Sequence, residues 1–263
     1  MEHSSFRSDC LRGHTILITG GAGAIGRVVT QALAHHGARV AVNDIHPQEE
    51  GERIIGRDKS ISYFSADITN EKDVAQLFDA VEEALDVPTV VCCHAGVVES
   101  SAYTDLSVRN FERTLDVNLK GAFLVSREAA RRMKGIASAL KPGRIIFTTS
   151  WVQDVPWPEI AAYCASKSAV KMLMRALARE VARGHIRVNA VAPGIVDTGM
   201  AKRQWDEDAR YRARAQRAVP MGFLQSAQSV ADAFLFLSSE ASSYMTGATL
   251  LIDGGCSLYP MDE

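Results

Sequence analysis

Short apolar runs rich in β-branched residues alternate along the chain with longer segments whose apolar residues recur every three or four positions. The first pattern is typical of strands buried in a parallel sheet, and the second of helices that cover such a sheet. Strands are predicted near 14–19, 38–44, 60–66, 89–95, 143–149, 186–192 and 248–253. Helices are predicted near 24–36, 47–56, 71–85, 107–139, 161–183 and 228–239. This alternation predicts an α/β fold with right-handed crossovers and a seven-stranded parallel sheet covered on both faces.

Composition narrows the class of protein. The mostly polar residues 1–13 lack the apolar core of a signal peptide, so we expect a flexible arm before one domain over 14–263. No run reaches the roughly 18 apolar residues of a membrane-spanning helix. Lys and Arg number 29 against 31 Asp and Glu, and this near balance excludes a general attraction for nucleic acid or anionic membranes. The five cysteines have no metal-ligand spacing, so we expect no metal and reduced thiols in a cytoplasmic protein.

A glycine-rich segment lies between the first predicted strand and the first predicted helix. Gly20, Gly23 and Gly26 occur within seven residues, with Ile25 among them. In a strand–turn–helix unit such glycines let the backbone approach a pyrophosphate, which binds the free N–H groups of the helix. The segment predicts a doubly wound, Rossmann-type domain that binds a dinucleotide; a tight turn without a ligand is the alternative.

The acidic residue at the end of the second strand bears on the choice of dinucleotide. Asp44 can accept hydrogen bonds from the adenosine ribose hydroxyls, and its charge repels a 2′-phosphate. No Lys or Arg directly follows it, because Ile45 and His46 come next. We therefore expect NAD rather than NADP, although an Asp that merely opens the loop before Pro47 would have the same sequence.

A phenol and an ammonium stand four residues apart in the fifth predicted helix. Helical spacing places Tyr163 and Lys167 on one face, one turn apart. A lysine cation favours the phenolate, so we expect it to lower the tyrosine pKa into the range where a general acid or base works at neutral pH. An aromatic residue packed beside a solvated lysine is the alternative interpretation.

These features occur together with further motifs, and the chain resembles the short-chain dehydrogenase/reductase family almost from end to end. The motifs that carry the resemblance are Thr19-Gly20-x-x-x-Ala24-x-Gly26, Asp67 after the third strand, Ala95-Gly96 after the fourth, Asn118, Ser150, Tyr163 with Lys167, and the segment Pro193-Gly194-Ile195-Val196-Asp197-Thr198. Ala24 stands where the family more often has glycine. Cys93-His94 replaces the usual Asn-Asn; the histidine can still donate to neighbouring backbone, and it can also titrate near neutral pH.

The resemblance implies two sets of functional residues. As catalytic residues it implies Asn118, Ser150, Tyr163 and Lys167. Residues implied to bind NAD are Gly20, Gly23, Ile25, Gly26, Asp44, Asp67, Ile68, His94, Ala95, Gly96, Tyr163, Lys167, Pro193, Gly194, Val196 and Thr198.

The implied reaction is reversible oxidation of an alcohol to a carbonyl with hydride transfer to nicotinamide. Tyr163 takes the hydroxyl proton, and Ser150 holds the substrate oxygen as an oxyanion donor does. Lys167 lowers the Tyr163 pKa and binds the nicotinamide ribose, while Asn118 anchors a water that links Lys167 to solvent.

The segment around the catalytic tyrosine and the C-terminal tail resemble bacterial glucose 1-dehydrogenases, which implies a sugar substrate. Gln153 and Asp154 could receive sugar hydroxyls, while Trp151 or Trp157 could stack on a pyranose ring; packing or interface burial is the alternative for the tryptophans. The resemblance also indicates a substrate lid at 199–219, which carries six basic residues. These charges suit a solvated amphipathic helix, or one or two arginines could turn inward to bind an anionic sugar.

Two other functions remain open. One is reduction of another carbonyl class, such as a ketoacyl thioester, a steroid or a cyclic diol; the other is a nucleotide sensor without catalysis. The complete catalytic set argues against the sensor. The resemblance further implies a homo-oligomer, a tetramer, built on the helices around 107–139 and 161–183 and on the last strand with its preceding helix.

Overall fold

The computed structural model describes residues 6–258, which form a sheet of seven parallel strands in the order β3-β2-β1-β4-β5-β6-β7. The strands are β1 Thr15–Thr19, β2 Arg39–Asp44, β3 Ile61–Ser65, β4 Val90–Cys93, β5 Gly143–Thr148, β6 Ile186–Pro193 and β7 Thr249–Ile252. Each strand lies within the range predicted from its apolar run, except that β6 extends one residue further, to Pro193. The α/β fold with a seven-stranded parallel sheet is therefore confirmed.

Helices cover both faces of the sheet. They are α1 Ala24–His35, α2 Gln48–Ile55, α3 Glu71–Ala84, α4 Val108–Leu115, α5 Ala122–Met133, α6 Ala161–Val181, α7 Gly199–Glu207, α8 Ala209–Ala218 and α9 Ala227–Ser238. Alternate residues of β1 enter different cores. Ile16 and Ile18 pack with residues of α1 and α9, whereas Leu17 packs with residues of α3, α5 and α6.

Two helical regions differ in detail from the prediction. The helix expected over 107–139 consists of α4, a π-helical segment Asp116–Gly121 and α5, and it ends at Met133 because Gly135 adopts a positive φ of 94°. The segment 199–219 contains two helices rather than one. Asp208 separates them, and its carboxylate accepts hydrogen bonds from the first backbone amides of α8.

The N-terminal segment is attached more firmly than a flexible arm would be. The side chain of Leu11 is fully buried against residues of α1 and β2, and its backbone amide donates to the carbonyl of His36 at 2.9 Å. Residues 1–5 of the expected arm lie outside the described part of the chain.

The strand order changes direction between β1 and β4, which are parallel neighbours in the sheet. From β1 the connections run outward to β2 and β3 on one side, and then to β4, β5, β6 and β7 on the other. The loops at the carboxyl ends of β1 and β4 therefore diverge and leave a crevice, where open α/β sheets bind ligands.

We expect Leu11→Ala to lower the free energy of unfolding by about 3 kcal/mol, because the substitution leaves a cavity in the core. Urea denaturation followed by circular dichroism measures the change. Leu140→Ala is the matched control, since Leu140 is 99% exposed and its truncation removes no buried contact. Equal denaturation midpoints for the Leu11 variant and the unaltered protein would show that the segment contributes nothing to the core.

Candidate functional site

A cavity of about 890 Å³ opens at the carboxyl ends of the strands, across the crevice between β1 and β4. Most of the residues predicted for the site line this one cavity. They are Gly20, Gly23, Ile25, Asp44, Asp67, Ile68, His94, Ala95, Gly96, Ser150, Trp151, Trp157, Tyr163, Lys167, Pro193, Gly194, Val196 and Thr198. Gly26, Asn118, Gln153 and Asp154 were also predicted, but they are outside its lining.

The glycine loop allows a close approach of two backbone segments. Gly20 has a φ of +67°, and a Cβ there would lie 2.7 Å from the Cα of Ala95. A Cβ at Gly26 would overlap the carbonyl oxygen of Gly20, so Gly26 supports the turn from behind the cavity. Helix α1 starts at Ala24 with no side chain bonded to its first amides. A glycine-lined turn and an uncapped helix start fit the pyrophosphate of a dinucleotide.

Two carboxylates are fixed at the outer end of the cavity. Asp44 accepts a hydrogen bond from the amide of Ala22 at 3.2 Å and another from Ile45 at 2.8 Å. Asp67 uses one oxygen, Oδ1, to accept from both the amide and the hydroxyl of Thr69, each at 2.8 Å. Both side chains are therefore oriented before any ligand is bound.

The end of β4 is tied to β1 through one hydroxyl. Thr19 Oγ1 accepts from the backbone amides of His94 and Ala95 at 3.1 and 3.2 Å. The ring of His94 packs edge-to-face on Phe234, and its Nδ1 lies 3.0 Å from the hydroxyl of Thr148. Burial, together with the nearby Lys167 charge, lowers the pKa of His94 to about 4. The alternative that this histidine titrates near neutral pH is therefore not supported, and the ring is uncharged at pH 7.

Asn118 holds the segment that follows β4 against α6. Its Oδ1 accepts from the amide of Val97 at 2.8 Å, and its Nδ2 donates to the Val97 carbonyl at 2.9 Å and to Ser166 Oγ at 3.0 Å. Ser166 in turn donates to the carbonyl of Tyr163 at 2.7 Å. The amide of Asn118 thus links the cavity wall at Val97 to the first turn of α6.

Ser150, Tyr163 and Lys167 converge at the inner part of the cavity. Tyr163 and Lys167 lie one turn apart near the start of α6, as their spacing predicts, and Lys167 Nζ is 5.4 Å from the centroid of the Tyr163 ring. Lys167 is buried, and its ammonium donates to the carbonyl of Thr148 at 2.8 Å. Ser150, two residues beyond β5, brings its hydroxyl to that of Tyr163.

Burial dominates the electrostatics of this group. It raises the pKa of Tyr163 to about 12, although the hydrogen bond with Ser150 acts in the opposite direction. It also lowers the pKa of Lys167 to about 8. The expected lowering of the Tyr163 pKa to neutrality is therefore not found, because desolvation of the phenolate dominates. At pH 7 the phenol holds its proton and can donate it to an oxygen placed beside Ser150.

The loop after β6 is hydrogen-bonded to Gln225, which lies just before α9. The amide of Gly194 donates to the side-chain oxygen of Gln225 at 2.8 Å, and the amide of Asp197 donates to the Gln225 carbonyl, also at 2.8 Å. The cavity-lining residues Pro193, Val196 and Thr198 are thereby held on one side of the crevice.

The wall beyond Ser150 is aromatic. The ring centroids of Trp151 and Trp157 are 5.2 Å apart, and those of Trp157 and Tyr211 are 6.1 Å apart, both edge-to-face. We call Trp151, Trp157 and Tyr211 the aromatic row. Apolar side chains complete this part of the lining: Val98, Val152, Pro158, Ile160, Ile195 and Ala201.

Two residues expected to bind a sugar point elsewhere. Asp154 pairs with Lys171 at 2.6 Å on the surface. Gln153 is buried in the 3₁₀ turn Trp151–Gln153, where its backbone carbonyl accepts from Ser168 Oγ at 2.6 Å. Neither residue lines the cavity.

The charges of the lid also face outward. Its six basic residues, Lys202, Arg203, Arg210, Arg212, Arg214 and Arg217, are all absent from the lining of the cavity within the described residues. Arg212 donates to the carbonyl of Trp205 at 2.9 Å, and the guanidinium of Arg214 lies over the Trp157 ring, 5.9 Å from its centroid. An inward-facing arginine for an anionic sugar is therefore not found.

Two functional positions were missed at the sequence level. Thr148 holds Lys167 through its carbonyl and contacts His94 through its hydroxyl; its place at the end of β5, two residues before Ser150, could have indicated it. Tyr211 lines the cavity from α8, but its neighbours in sequence are mostly charged and Ala, so no apolar pattern indicates an inward position.

Residues 6–258 contain no helix that meets the length and apolarity needed to cross a membrane. In the same range, no group of three or more His, Cys, Asp or Glu side chains is arranged to hold a metal ion.

Comparison with known proteins connects the site to a family. Residues 20–257 match the family described as enoyl-(acyl carrier protein) reductase. The chain is 34% identical to 3beta-hydroxysteroid dehydrogenase 1 of Eggerthella lenta, over 96% of this chain and 97% of that protein. It is 35% identical to glucose 1-dehydrogenase of Gluconobacter oxydans, over 95% and 94%. The solved 3-ketoacyl-(acyl-carrier-protein) reductase of Brucella melitensis, complexed with NADH, superposes with a TM-score of 0.85 at 28% identity, over 94% of this chain and 99% of that one.

We expect Gly26→Ala to weaken NADH binding at least tenfold, because the new Cβ overlaps the Gly20 carbonyl and must displace the glycine loop. Fluorescence titration with NADH measures the dissociation constant. Gly184→Ala is the control, since a Cβ there meets no described atom within 4 Å. Unchanged binding by the Gly26 variant would mean that the loop does not hold the cofactor.

Proposed function

The chain belongs to the short-chain dehydrogenase/reductase family, and from this membership we propose that it is an NAD-dependent oxidoreductase acting on a secondary alcohol within a largely apolar ring. The observation that carries the proposal is the convergence of Ser150, Tyr163 and Lys167 next to the aromatic row in one cavity. Acid–base chemistry at an oxygen and an apolar surface for the substrate body are thus adjacent.

The cofactor interactions proposed here use the geometry of the outer cavity. The first amides of α1 and the glycine loop bind the pyrophosphate, and Asp44 accepts from the adenosine ribose hydroxyls. Asp67 retains its second oxygen for the adenine amino group. NAD is favoured over NADP because the Asp44 carboxylate repels a 2′-phosphate and the adjoining residues 43–46 include no Lys or Arg. The remaining predicted cofactor residues form the walls of this part of the cavity: Ile25, Ile68, His94, Ala95, Gly96, Pro193, Gly194, Val196 and Thr198.

The chain's own residues handle the oxygen and its proton. When bound, the nicotinamide exchanges a hydride with the substrate carbon. Ser150 donates to the substrate oxygen and stabilises the charge that develops on it. Tyr163 donates its proton to that oxygen during reduction and accepts it during oxidation. The positive charge of Lys167, held by the carbonyl of Thr148, favours the phenolate that reduction leaves behind.

A small space supports the proposed link between Lys167 and solvent. A Cβ at Gly96 would lie 3.3 Å from Asn118 Oδ1 and 3.4 Å from Lys167 Nζ, so the absence of a side chain at Gly96 keeps open a point beside both polar atoms. A water molecule at this point would have two polar partners. It would pass the proton that Lys167 or Tyr163 gains or loses.

The lining of the inner cavity supports an apolar ring alcohol over a sugar. A sugar presents hydroxyls in several directions, and each one that is buried without a partner lowers its affinity. Asp154 and Gln153 do not supply such partners, whereas the aromatic row supplies flat apolar surface. The steroid dehydrogenase relative, at 34% identity, agrees with this proposal.

Sugar oxidation, an aldose to a lactone, is the second candidate. It is supported by the 35% identity to a glucose 1-dehydrogenase and by polar and charged residues of the lining, namely Ser100, Arg109, Glu112, Arg113, Asp116 and Gln204. A panel of aldoses beside ring alcohols, assayed with NAD, separates the two candidates. Faster turnover of an aldose than of every ring alcohol would overturn the apolar assignment.

We also propose a homo-oligomer, a tetramer, in the cytoplasm. Apolar side chains are exposed on the helices expected to pair, with Val108 on α4, Phe123 on α5 and Met172 on α6, and Leu251 is exposed on β7. Contact with a second copy would remove these surfaces from water.

The state of the cysteines supports the proposed location in the cytoplasm. All five cysteines are free thiols, which agrees with a reducing compartment.

We expect Tyr163→Phe to lower kcat by about 10²–10⁴-fold, because the variant cannot donate or accept the proton. Reduction of a ring ketone is followed by the ultraviolet absorbance of NADH. NADH affinity should stay within about threefold, since the phenyl ring keeps the packing. Substantial residual turnover would contradict the assignment.

The control for Tyr163→Phe is Tyr103→Phe, which removes a hydroxyl from an exposed side chain.

We expect ketone reduction by the unaltered protein to decline above about pH 8. Lys167 is protonated below its lowered pKa of about 8, and the charge it contributes is lost as the pH rises through that value.

We expect Asp44→Asn to raise kcat/KM with NADPH about tenfold relative to NADH, because the amide keeps the hydrogen-bonding shape but removes the charge that repels a 2′-phosphate. Initial rates with the two reduced cofactors measure the ratio. The matched control is Glu49→Gln, which neutralises an exposed carboxylate in the first turn of α2. An unchanged ratio for the Asp44 variant would remove the basis for the NAD preference.

A further inference from the structure

The aromatic row extends from the catalytic group to the lid. Trp151 directly follows Ser150, Trp157 packs edge-to-face on it, and Tyr211 of α8 packs edge-to-face on Trp157. Tyr211 is therefore the member of the row that is farthest from Ser150 along these ring contacts. All three rings line the cavity, and Tyr211 is 7% exposed.

Each ring of the row carries one polar atom that the protein does not use. The indole N–H groups of Trp151 and Trp157 and the hydroxyl of Tyr211 make no hydrogen bond with residues 6–258. Within residues 6–258, none of these three atoms is among the fully buried polar atoms that lack a hydrogen-bond partner. Each of them therefore keeps some surface that a ligand can reach. A buried tyrosine or tryptophan ordinarily finds a partner for its polar atom, and here a ligand in the cavity can supply it.

The backbone around Tyr211 holds the phenol in place. The carboxylate of Asp208 accepts from the amides of Arg210 and Tyr211 at 2.8 and 3.2 Å. The guanidinium of Arg212 donates to the carbonyls at the end of α7, at 2.9 Å to Trp205 and 3.1 Å to Asp206. One turn after Tyr211, Ala215 is fully buried. The turn between α7 and α8 is therefore fixed without help from a ligand.

Resting on the proposed function, we propose that Tyr211 is a specificity-determining residue that donates a hydrogen bond to a second oxygen of the substrate. The substrate class that satisfies both ends of the row is an elongated, largely apolar fused-ring alcohol or ketone. Its reacting oxygen lies at Ser150 and Tyr163, and its second oxygen lies on the ring most distant from the reacting carbon.

The character of the hydroxyl agrees with a donor role. Burial, together with the neighbouring Cys256, raises the pKa of Tyr211 to about 12, so the phenol keeps its proton throughout the working range of an enzyme. A carbonyl or hydroxyl oxygen on the substrate would accept from it. An unoxygenated ring end would leave the hydroxyl unpaired, and this difference is the source of the selectivity.

The experiment compares pairs of fused-ring ketones that have the same carbon skeleton. One member of each pair carries a second carbonyl on its far ring and the other does not; skeletons of two, three and four rings sample the distance between the ends. Initial rates with NADH give kcat/KM for both members with the unaltered protein and with Tyr211→Phe. Tyr244→Phe, which alters a fully exposed tyrosine, is the matched control.

We expect the unaltered protein to prefer the diketone in at least one pair and Tyr211→Phe to lower that preference about tenfold, mainly through KM, because the lost bond forms in both ground and transition states. The Tyr244 control should keep the preference. An equal loss for both members of each pair would mean that Tyr211 only packs against Trp157, and would overturn the proposal. No preference in any pair by the unaltered protein would overturn it too, while ketone turnover would leave the proposed function intact.

Absence of turnover with every ketone would count against the proposed function, and binding then decides the role of Tyr211 separately. In a Trp205→Phe background, fluorescence from the remaining Trp151 and Trp157 reports on ligands in the NADH complex. Tighter binding of a diketone than of its monoketone, lost in Tyr211→Phe, would support the proposal. Equal binding of the two members would overturn it.

Discussion

The contact between the carboxyl ends of β1 and β4 is the constraint on which the site depends. Gly20 and Ala95 approach so closely that a side chain at position 20 would collide with the Ala95 backbone, and the Thr19 hydroxyl bonds the amides of His94 and Ala95. The crevice opens at this junction, because the strand order changes direction there. The junction also sets the wall from which Gly96 faces Lys167 and Asn118. A shift of either strand would change the proposed cofactor end and the proposed proton-handling end together.

Desolvation shifts the pKa values of neighbouring groups in the cavity in different directions. It raises the pKa of Tyr163, so the phenol keeps its proton, and it lowers the pKa values of Lys167 and His94, so the histidine stays uncharged. An uncharged ring beside Lys167 adds no repulsion, so the histidine at this position is compatible with the lysine cation. The oxidised nicotinamide carries a positive charge of its own, and its arrival would favour the phenolate. The balance of charge in the pocket is therefore completed by the ligand.

Sequence patterns predicted the strands and helices that are determined by residues close together in the sequence. Buried strands such as β1 and β4 are short runs of β-branched and apolar residues, and the i,i+4 spacing of Tyr163 and Lys167 has only one geometric outcome on a helix. Side-chain direction in irregular segments depends on distant packing, and there the prediction failed. Asp154 leaves the cavity because Lys171 of α6 is within reach, and Leu11 enters the core because α1 and β2 leave room for it. Tyr211 faces inward because Trp157 lies beneath it.

The β1–β4 pairing has a consequence for the order in which the molecule assembles. Ile16 pairs with Val90, so the two strands that define the crevice are separated by more than seventy residues of sequence. During synthesis β1 can pair with β2, but its other edge stays without a partner until β4 has left the ribosome. Such long-range parallel pairing forms slowly. The nascent N-terminal part therefore exposes an apolar strand edge, and the cavity exists only after β4 has closed that edge.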